Sequence, residues 1–166
     1  MKVFRFATEI DRSAQRFYEE MAARAENPGV KNIFRQLAED EARRLMQLEV
    51  RAAKTNGDET MALDEGWNVY ERLRQQGDRL VVADDVAAYR LALDAERHVL
   101  HQYEAAAAAE ADPVVQKILT EIAEDERQLL RELESLYDFT NVPNSFLAWG
   151  EFSNLGEFHN FGRDAD

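Results

Sequence analysis

The chain has 166 residues, enough for one well-buried domain and too few for two ordinary ones. It is 45% hydrophobic and 32% charged but contains only 7 Gly and 3 Pro, which disfavours both a disordered chain and an all-β fold. A formal charge of −13 disfavours binding to nucleic acid or to an anionic membrane surface, and the lack of cysteine excludes disulfides, iron–sulfur clusters and cysteine-ligated metals. No apolar run is long enough to span a membrane, and the first residues become polar too early for a secretory signal, so we expect a cytoplasmic protein.

The first predicted element is an antiparallel helical hairpin. Apolar and small residues recur at steps of three and four positions, the period of one helix face, through residues 4–26 and again through residues 30–57. The breaker sequence Asn27-Pro28-Gly29 separates the two stretches. Because this turn is short, the second helix is predicted to return alongside the first.

A long connection follows the hairpin. Residues 55–83 must carry the chain down the side of the bundle, from the end of one hairpin to the start of the next. Trp67, Tyr70 and Leu73 lie at helical spacing within this connection, which predicts a short helix there.

A second hairpin follows the connection. Asp84 and Asp85 are suited to the start of its first helix, since carboxylates stabilise the positive end of the helix dipole. This third helix is predicted to continue to residue 111. Asp112-Pro113 then turns the chain into a fourth helix, which is predicted to end near Leu136.

The last part of the chain differs in composition from the helices. It has little helical period and is rich in aromatic residues, namely Phe139, Phe146, Trp149, Phe152, Phe158 and Phe161. We therefore divide the chain into a bundle, residues 1–137, and an aromatic extension, residues 138–166. The extension is expected either to pack across the bundle or to dock a second subunit or a partner protein.

The two hairpins are related by an internal duplication. A shift of 85 residues aligns residues 7–49 with residues 92–134 without a gap, and 16 of the 43 positions are identical. Pro28 aligns with Pro113, so the turns are duplicated with the helices. The predicted fold is all-α: a four-helix bundle of two duplicated antiparallel hairpins joined by one long crossover.

Each long helix carries one acidic residue within its buried, otherwise apolar stripe. The duplication superimposes these acids in pairs, Asp11 with Glu96 and Glu41 with Glu126. Burial of one carboxylate costs several kcal/mol, and like charges nearby raise that cost unless some acids remain protonated. We therefore expect a positive species among the four acids. Bundles that combine such carboxylates with two Glu-x-x-His motifs bind a pair of iron or manganese ions.

These residues resemble a known family. The motif EID at residues 9–11, the pair Phe17-Tyr18 and the run LAEDE at residues 37–41 are similar to the rubrerythrin-like branch of the ferritin-like superfamily. The resemblance covers roughly residues 4–136 and includes both turn prolines. It leaves the aromatic extension unexplained.

The resemblance implies a fold, a metal site and an assembly. Family members are four-helix bundles whose central di-iron site reacts with peroxide or oxygen, or handles iron, and ferritin-like bundles commonly pair along their sides. A homodimer is therefore expected. The positions that match the metal-binding carboxylates of the family are Asp11, Glu41, Glu96 and Glu126, and the tyrosines expected to hydrogen-bond the site are Tyr18 and Tyr103.

The sequence departs from the family at the nitrogen ligands. The two family histidines, each three residues after the glutamate of the second or fourth helix, are replaced here by Arg44 and Leu129. His98 and His101 lie on the opposite side of their helix from Glu96, so both are expected on the surface. The remaining histidine lies in the extension, at position 159.

Arg44 is a candidate for the positive species. It lies one turn beyond Glu41, and its permanently charged guanidinium donates five hydrogen bonds in a fork suited to carboxylates. Leu129 would then fill the opposite ligand position with hydrocarbon. In the alternative, Arg44 extends into solvent, and the centre needs either metal or protonated acids.

Two functional hypotheses follow. In the first, the protein has lost its metal site and serves as a metal-free or weakly metal-binding scaffold or interaction protein, with the extension carrying the partner contact. In the second, the four carboxylates still bind iron or manganese for peroxide or oxygen chemistry, or for iron handling. The loss of both imidazoles favours the first hypothesis, and the retention of all four acids favours the second.

Overall fold

The computed structural model describes the backbone of residues 3–54 and 68–157, and side chains as far as residue 142. Within these residues the chain is helical and contains no β-strand. In chain order its elements are α1 (Val3–Arg24), α2 (Pro28–Lys54), α3 (Val69–Arg74), a 3-10 turn (Gly77–Arg79), α4 (Asp85–Ala109) and α5 (Pro113–Glu157). None of these described helices is long and apolar enough to cross a membrane.

The second helix of each hairpin begins with the same local arrangement. Asn27 Oδ1 accepts hydrogen bonds from the backbone amides two and three residues further on, at 2.8 and 3.4 Å. Asp112 Oδ1 does the same at 2.8 and 3.3 Å. Pro28 and Pro113 each begin a helix, where a missing amide hydrogen removes no internal hydrogen bond. The duplication therefore extends to the chemistry of the turns.

The crossover contains the predicted short helix, α3. Asn68 Oδ1 accepts hydrogen bonds from two amides of its first turn, at 3.0 and 3.3 Å. Tyr70 is fully buried, with its ring centroid 5.8 Å from that of Phe17 and 5.7 Å from that of Tyr18. Tyr70 thus anchors the crossover in the bundle interior, and Leu73 packs against the same core. Trp67 lies outside the described residues.

The crossover returns the chain to the end of the bundle at which α2 begins. Asp85, the first residue of α4, lies so close to Gly29 that a Cβ atom at position 29 would collide with its carboxylate. Arg74 attaches the crossover to α1, with Nε 3.0 Å from both carboxylate oxygens of Glu20. Because α2 and α4 start at the same end, these two helices run in the same direction and the turns of the two hairpins lie at opposite ends of the bundle. The crossover therefore connects opposite ends of the bundle, as the long connection predicts.

The hydrophobic core lies between the four long helices. Each helix contributes fully buried apolar side chains, such as Phe17, Phe34, Val99 and Leu119. Burial of a side chain of this size stabilises the fold by about 1.5–3 kcal/mol. Both hairpins contribute to this core, which explains why the halves form one domain.

The fourth long helix extends further than the sequence pattern predicts. The predicted end near Leu136 is wrong, because α5 continues to Glu157. It is 45 residues long and α4 is 25, so at about 1.5 Å per residue α5 is roughly 30 Å longer. Extension of an existing helix adds one hydrogen bond per residue without a new nucleus, so a segment with a weak helical pattern remains helical.

Part of the aromatic extension can be described. Phe139 is 80% exposed, so this side chain does not pack on the bundle. The other aromatic side chains of the extension lie outside the described residues, namely Phe146, Trp149, Phe152, Phe158 and Phe161. Packing of the extension against the bundle or a partner therefore stays a prediction.

Candidate functional site

Four acidic side chains lie in the interior of the bundle. Helices α1, α2, α4 and α5 contribute one each, and no side chain among them is more than 3% exposed. The structure thus places all four where the stripe pattern predicts them. We call this group the acid centre; it consists of Asp11, Glu41, Glu96 and Glu126.

Arg44 inserts its guanidinium into the acid centre. Its Nη1 donates a hydrogen bond of 3.0 Å to Glu41 Oε1, and its Nη2 donates to Glu126 Oε1. The same Nη2 lies 3.8 Å from Asp11 Oδ1, and the side chain is only 21% exposed. The alternative in which Arg44 extends into solvent is therefore wrong. One cation connects carboxylates from α1, α2 and α5.

Glu96 has a different set of partners. Tyr18 donates a hydrogen bond of 3.0 Å to Glu96 Oε1, and Tyr70 donates to the same oxygen. The two hydroxyl oxygens are 3.5 Å apart. Burial raises the pKa of both tyrosines well above the ordinary value, and Glu96 raises it further, so both remain protonated donors.

The role of Tyr18 was predicted from the sequence, but the role of Tyr70 was not. Tyr70 lies in the crossover, which has no counterpart in the other half, so the duplication could not reveal its part in the site. Tyr103, the duplicate of Tyr18, does not make the expected hydrogen bond. Its buried hydroxyl has no partner among the described residues, and its ring packs edge-on against Phe6.

Protons supplement the charge of Arg44 in the acid centre. Burial raises the pKa of Asp11 to about 6 and that of Glu126 to about 8, with Arg44 opposing each shift. Burial also raises the pKa of Glu41 well above its ordinary value. Although burial alone would lower the pKa of Arg44, the surrounding carboxyls raise it well above its usual range. At neutral pH, Glu126 therefore favours its neutral form beside a charged guanidinium.

Comparisons with known proteins identify the family. A model of the rubrerythrin family matches residues 2–137. The chain belongs to the rubrerythrin family. The crystal structure of an uncharacterised conserved protein from Magnetospirillum magnetotacticum has a similar fold, with a TM-score of 0.58 and 20% identity over 82% of this chain and 92% of that one. None of the curated proteins matches the sequence. The predicted family and its all-α ferritin-like fold are confirmed.

In this rubrerythrin-family chain, the side chains at the positions of the family's metal-binding carboxylates make contacts within the protein. Among the described residues, no three His, Cys, Asp or Glu side chains are placed so that they could hold an ion. Arg44 and the half-buried Leu129 occupy the positions of the two family histidines. The carboxylates that would bind iron or manganese instead face a guanidinium and two tyrosyl hydroxyls.

The two histidines among the described residues lie away from the acid centre. His98 and His101 are exposed, as helical geometry predicts, and Nδ1 of His98 lies 2.6 Å from the backbone carbonyl of Asp94. His159 lies outside the described residues. Among the described residues, no histidine therefore lies where its ring nitrogen could bind a metal ion at the acid centre.

Proposed function

We propose that this member of the rubrerythrin family functions without a bound metal pair, as a scaffold or interaction protein. The observation that supports this most directly is the guanidinium of Arg44, which lies among three of the four carboxylates of the acid centre. A guanidinium is always charged and forms directional hydrogen bonds with carboxylates, so it can neutralise buried acids without an ion from solution.

The position that corresponds to Arg44 in the second half supports the same proposal. Leu129 lies where the second family histidine would be, and it offers hydrocarbon rather than a ligand atom. A metal would have to displace a tethered cation on one side and would gain no nitrogen ligand on the other. A bound metal pair would therefore have to compete with Arg44 for the same oxygens.

The interaction role is assigned to the part of α5 that joins the bundle to the extension. Leu136, Phe139 and Val142 follow at steps of three residues and are 46%, 80% and 48% exposed. Exposed apolar residues in such a row are typical of protein contact surfaces. The proposed partner is a second copy of the chain. Sedimentation analysis of the wild type and of Phe139→Asp tests this, because loss of dimer in the variant supports the contact and an unchanged mass contradicts it.

Metal analysis tests the proposed function. Protein purified without chelator is expected to contain far less than one iron or manganese ion per chain. Stoichiometric metal that is lost, together with thermal stability, in Glu126→Ala would overturn the proposal. Glu124→Ala is the matched control, because Glu124 lies two residues before Glu126 on α5 but its side chain is 59% exposed.

A second candidate function is an iron or manganese protein that acts on peroxide or oxygen, or that handles iron. The retention of four buried acids favours it, as do two carboxylate oxygens, Asp11 Oδ2 and Glu126 Oε2, that lack a hydrogen-bond partner among the described residues. This candidate requires Arg44 to leave the acid centre. The same metal analysis separates the two functions.

A further inference from the structure

A cleft leads from the surface to the acid centre. It lies between α2 and α5 and has a volume of about 550 Å³. Asp11 and Glu126 are among its lining residues although both are buried, so the cleft reaches into the bundle. Leu48, Ile122 and Leu129 form apolar parts of its wall.

Arg44 is placed differently from the other two arginines that line the cleft. Arg43 pairs with Asp40 on its own helix, at an exposed position. Arg51 pairs with Asp125 across the cleft, at 2.6 Å. By contrast, Arg44 contacts buried carboxylates and has a side chain that is 21% exposed and lines the cleft.

The acid centre has acceptor atoms that Arg44 does not use. Asp11 Oδ2 and Glu126 Oε2 are buried and have no hydrogen-bond partner among the described residues, and both residues line the cleft. Buried carboxylate oxygens without donors favour the approach of a cation that carries several N–H groups. A planar cation with a fork of donors matches this need better than a spherical one.

We infer that the α2–α5 cleft is an entry route to the acid centre, closed by the side chain of Arg44, and that the centre binds a free guanidinium or amidinium ion when that side chain is shortened. This inference rests on the proposed function, since it takes an organic cation to be the natural partner of the four acids. The ligand class follows from the side chain that now occupies the site.

The experiment is a rescue of Arg44→Ala by guanidinium chloride at 1–20 mM (roughly the range in which a weak site saturates and denaturation is negligible). Thermal unfolding is followed at pH 8.5, because ionised carboxylates attract a cation. The variant is expected to melt well below the wild type, and guanidinium is expected to raise its Tm saturably by about 3 °C or more. Sodium chloride at equal concentration controls for ionic strength.

Arg43→Ala is the matched control, since Arg43 lines the same cleft but pairs with an exposed acid. Its Tm is expected to show no saturable rise with guanidinium. If Arg44→Ala does not fold, Arg44→Gln is measured in the same way, because its amide keeps two donors and most of the stem. Calorimetric titration with acetamidinium adds a direct stoichiometry, expected to be one ion per chain.

The outcomes separate this inference from the proposed function. A guanidinium response in Arg44→Ala and none in Arg43→Ala supports the entry route and the ligand class. If guanidinium changes the Tm of both variants equally, the inference is overturned. It is also overturned if Mn²⁺ raises the Tm of Arg44→Ala and guanidinium does not. The metal content of the wild type is measured independently, so the proposed function can fail or stand without regard to this result.

Discussion

The two halves of the bundle contribute equivalent acids but unequal partners for them. In the first half, Arg44 follows Glu41 and pairs with three carboxylates. In the second half, Leu129 occupies the equivalent position beside Glu126. A cluster of buried acids therefore needs a neutralising cation but not one from each half, because a single guanidinium can contact several carboxylates at once.

The tyrosines show the same asymmetry. Tyr18 of the first half shares Glu96 with Tyr70, whereas its duplicate Tyr103 has a hydroxyl without a partner among the described residues. The crossover contributes Tyr70 beside Tyr18 and contributes no equivalent residue beside Tyr103 among the described residues. The two halves share the acids and the helix faces, and the contacts of Arg44 and Tyr70 make them different.

The largest expected effect tests the role of Arg44. Arg44→Leu leaves Glu41, Glu126 and Asp11 buried without their cation, so it is expected to lower the free energy of unfolding by about 3–5 kcal/mol. Urea denaturation measures the change. Arg43→Leu, at an exposed position, is the control and is expected to stay within about 0.5 kcal/mol. A loss in Arg44→Leu as small as that of the control would contradict the assignment of Arg44.

A second prediction concerns pH. Because the folded pKa values of Asp11 (about 6) and Glu126 (about 8) lie above their ordinary values, the native state holds more protons than the unfolded chain between roughly pH 4 and 8. This contribution to stability is fully present below about pH 4 and is lost as pH rises through 6 and 8. At about 1.36 kcal/mol per pKa unit, we expect a loss of about 5 kcal/mol between pH 5 and pH 8.5.

The variant Glu126→Gln tests whether ionisation of Glu126 causes this loss of stability. The amide cannot ionise, so the free energy of unfolding should fall less steeply with pH in this variant than in the wild type. Glu124→Gln, at an exposed position of the same helix, should leave the slope unchanged. Identical slopes for the wild type and Glu126→Gln would show that Glu126 does not hold the proton.

Tyr70→Phe tests the hydrogen bond that the crossover donates to the acid centre. It removes one of two hydrogen bonds to Glu96 Oε1 while keeping the buried ring, so it is expected to cost about 1–2 kcal/mol in chemical denaturation. A cost close to zero would mean that Tyr18 alone satisfies Glu96.

The smallest effect is expected at the duplicate tyrosine. Tyr103→Phe removes a buried hydroxyl that has no partner among the described residues, so the free energy of unfolding should stay within about 0.5 kcal/mol or rise slightly. Measured beside Tyr70→Phe, this variant compares the two halves directly. A loss of 1 kcal/mol or more would contradict the asymmetry between them.

Much of the fold and part of the acid centre could be predicted from the sequence. The two hairpins follow from the three- and four-residue period, and the inward orientation of the acids follows from their places in the apolar stripes. Both are local properties, because position along a helix determines which face a side chain occupies. The end of α5 was mispredicted, since extension from a formed helix needs little help from local sequence.

By itself, the amino-acid sequence determined that four carboxylates meet inside a duplicated bundle and that both imidazoles are missing. Only the tertiary structure decided that Arg44 turns inward, that Tyr70 reaches Glu96 from the crossover, and that the Tyr103 hydroxyl has no partner within the described part of the chain. The reason is physical. A helix face follows from the chain's own period, but the partner of a buried charge depends on which distant side chains packing brings within hydrogen-bonding distance.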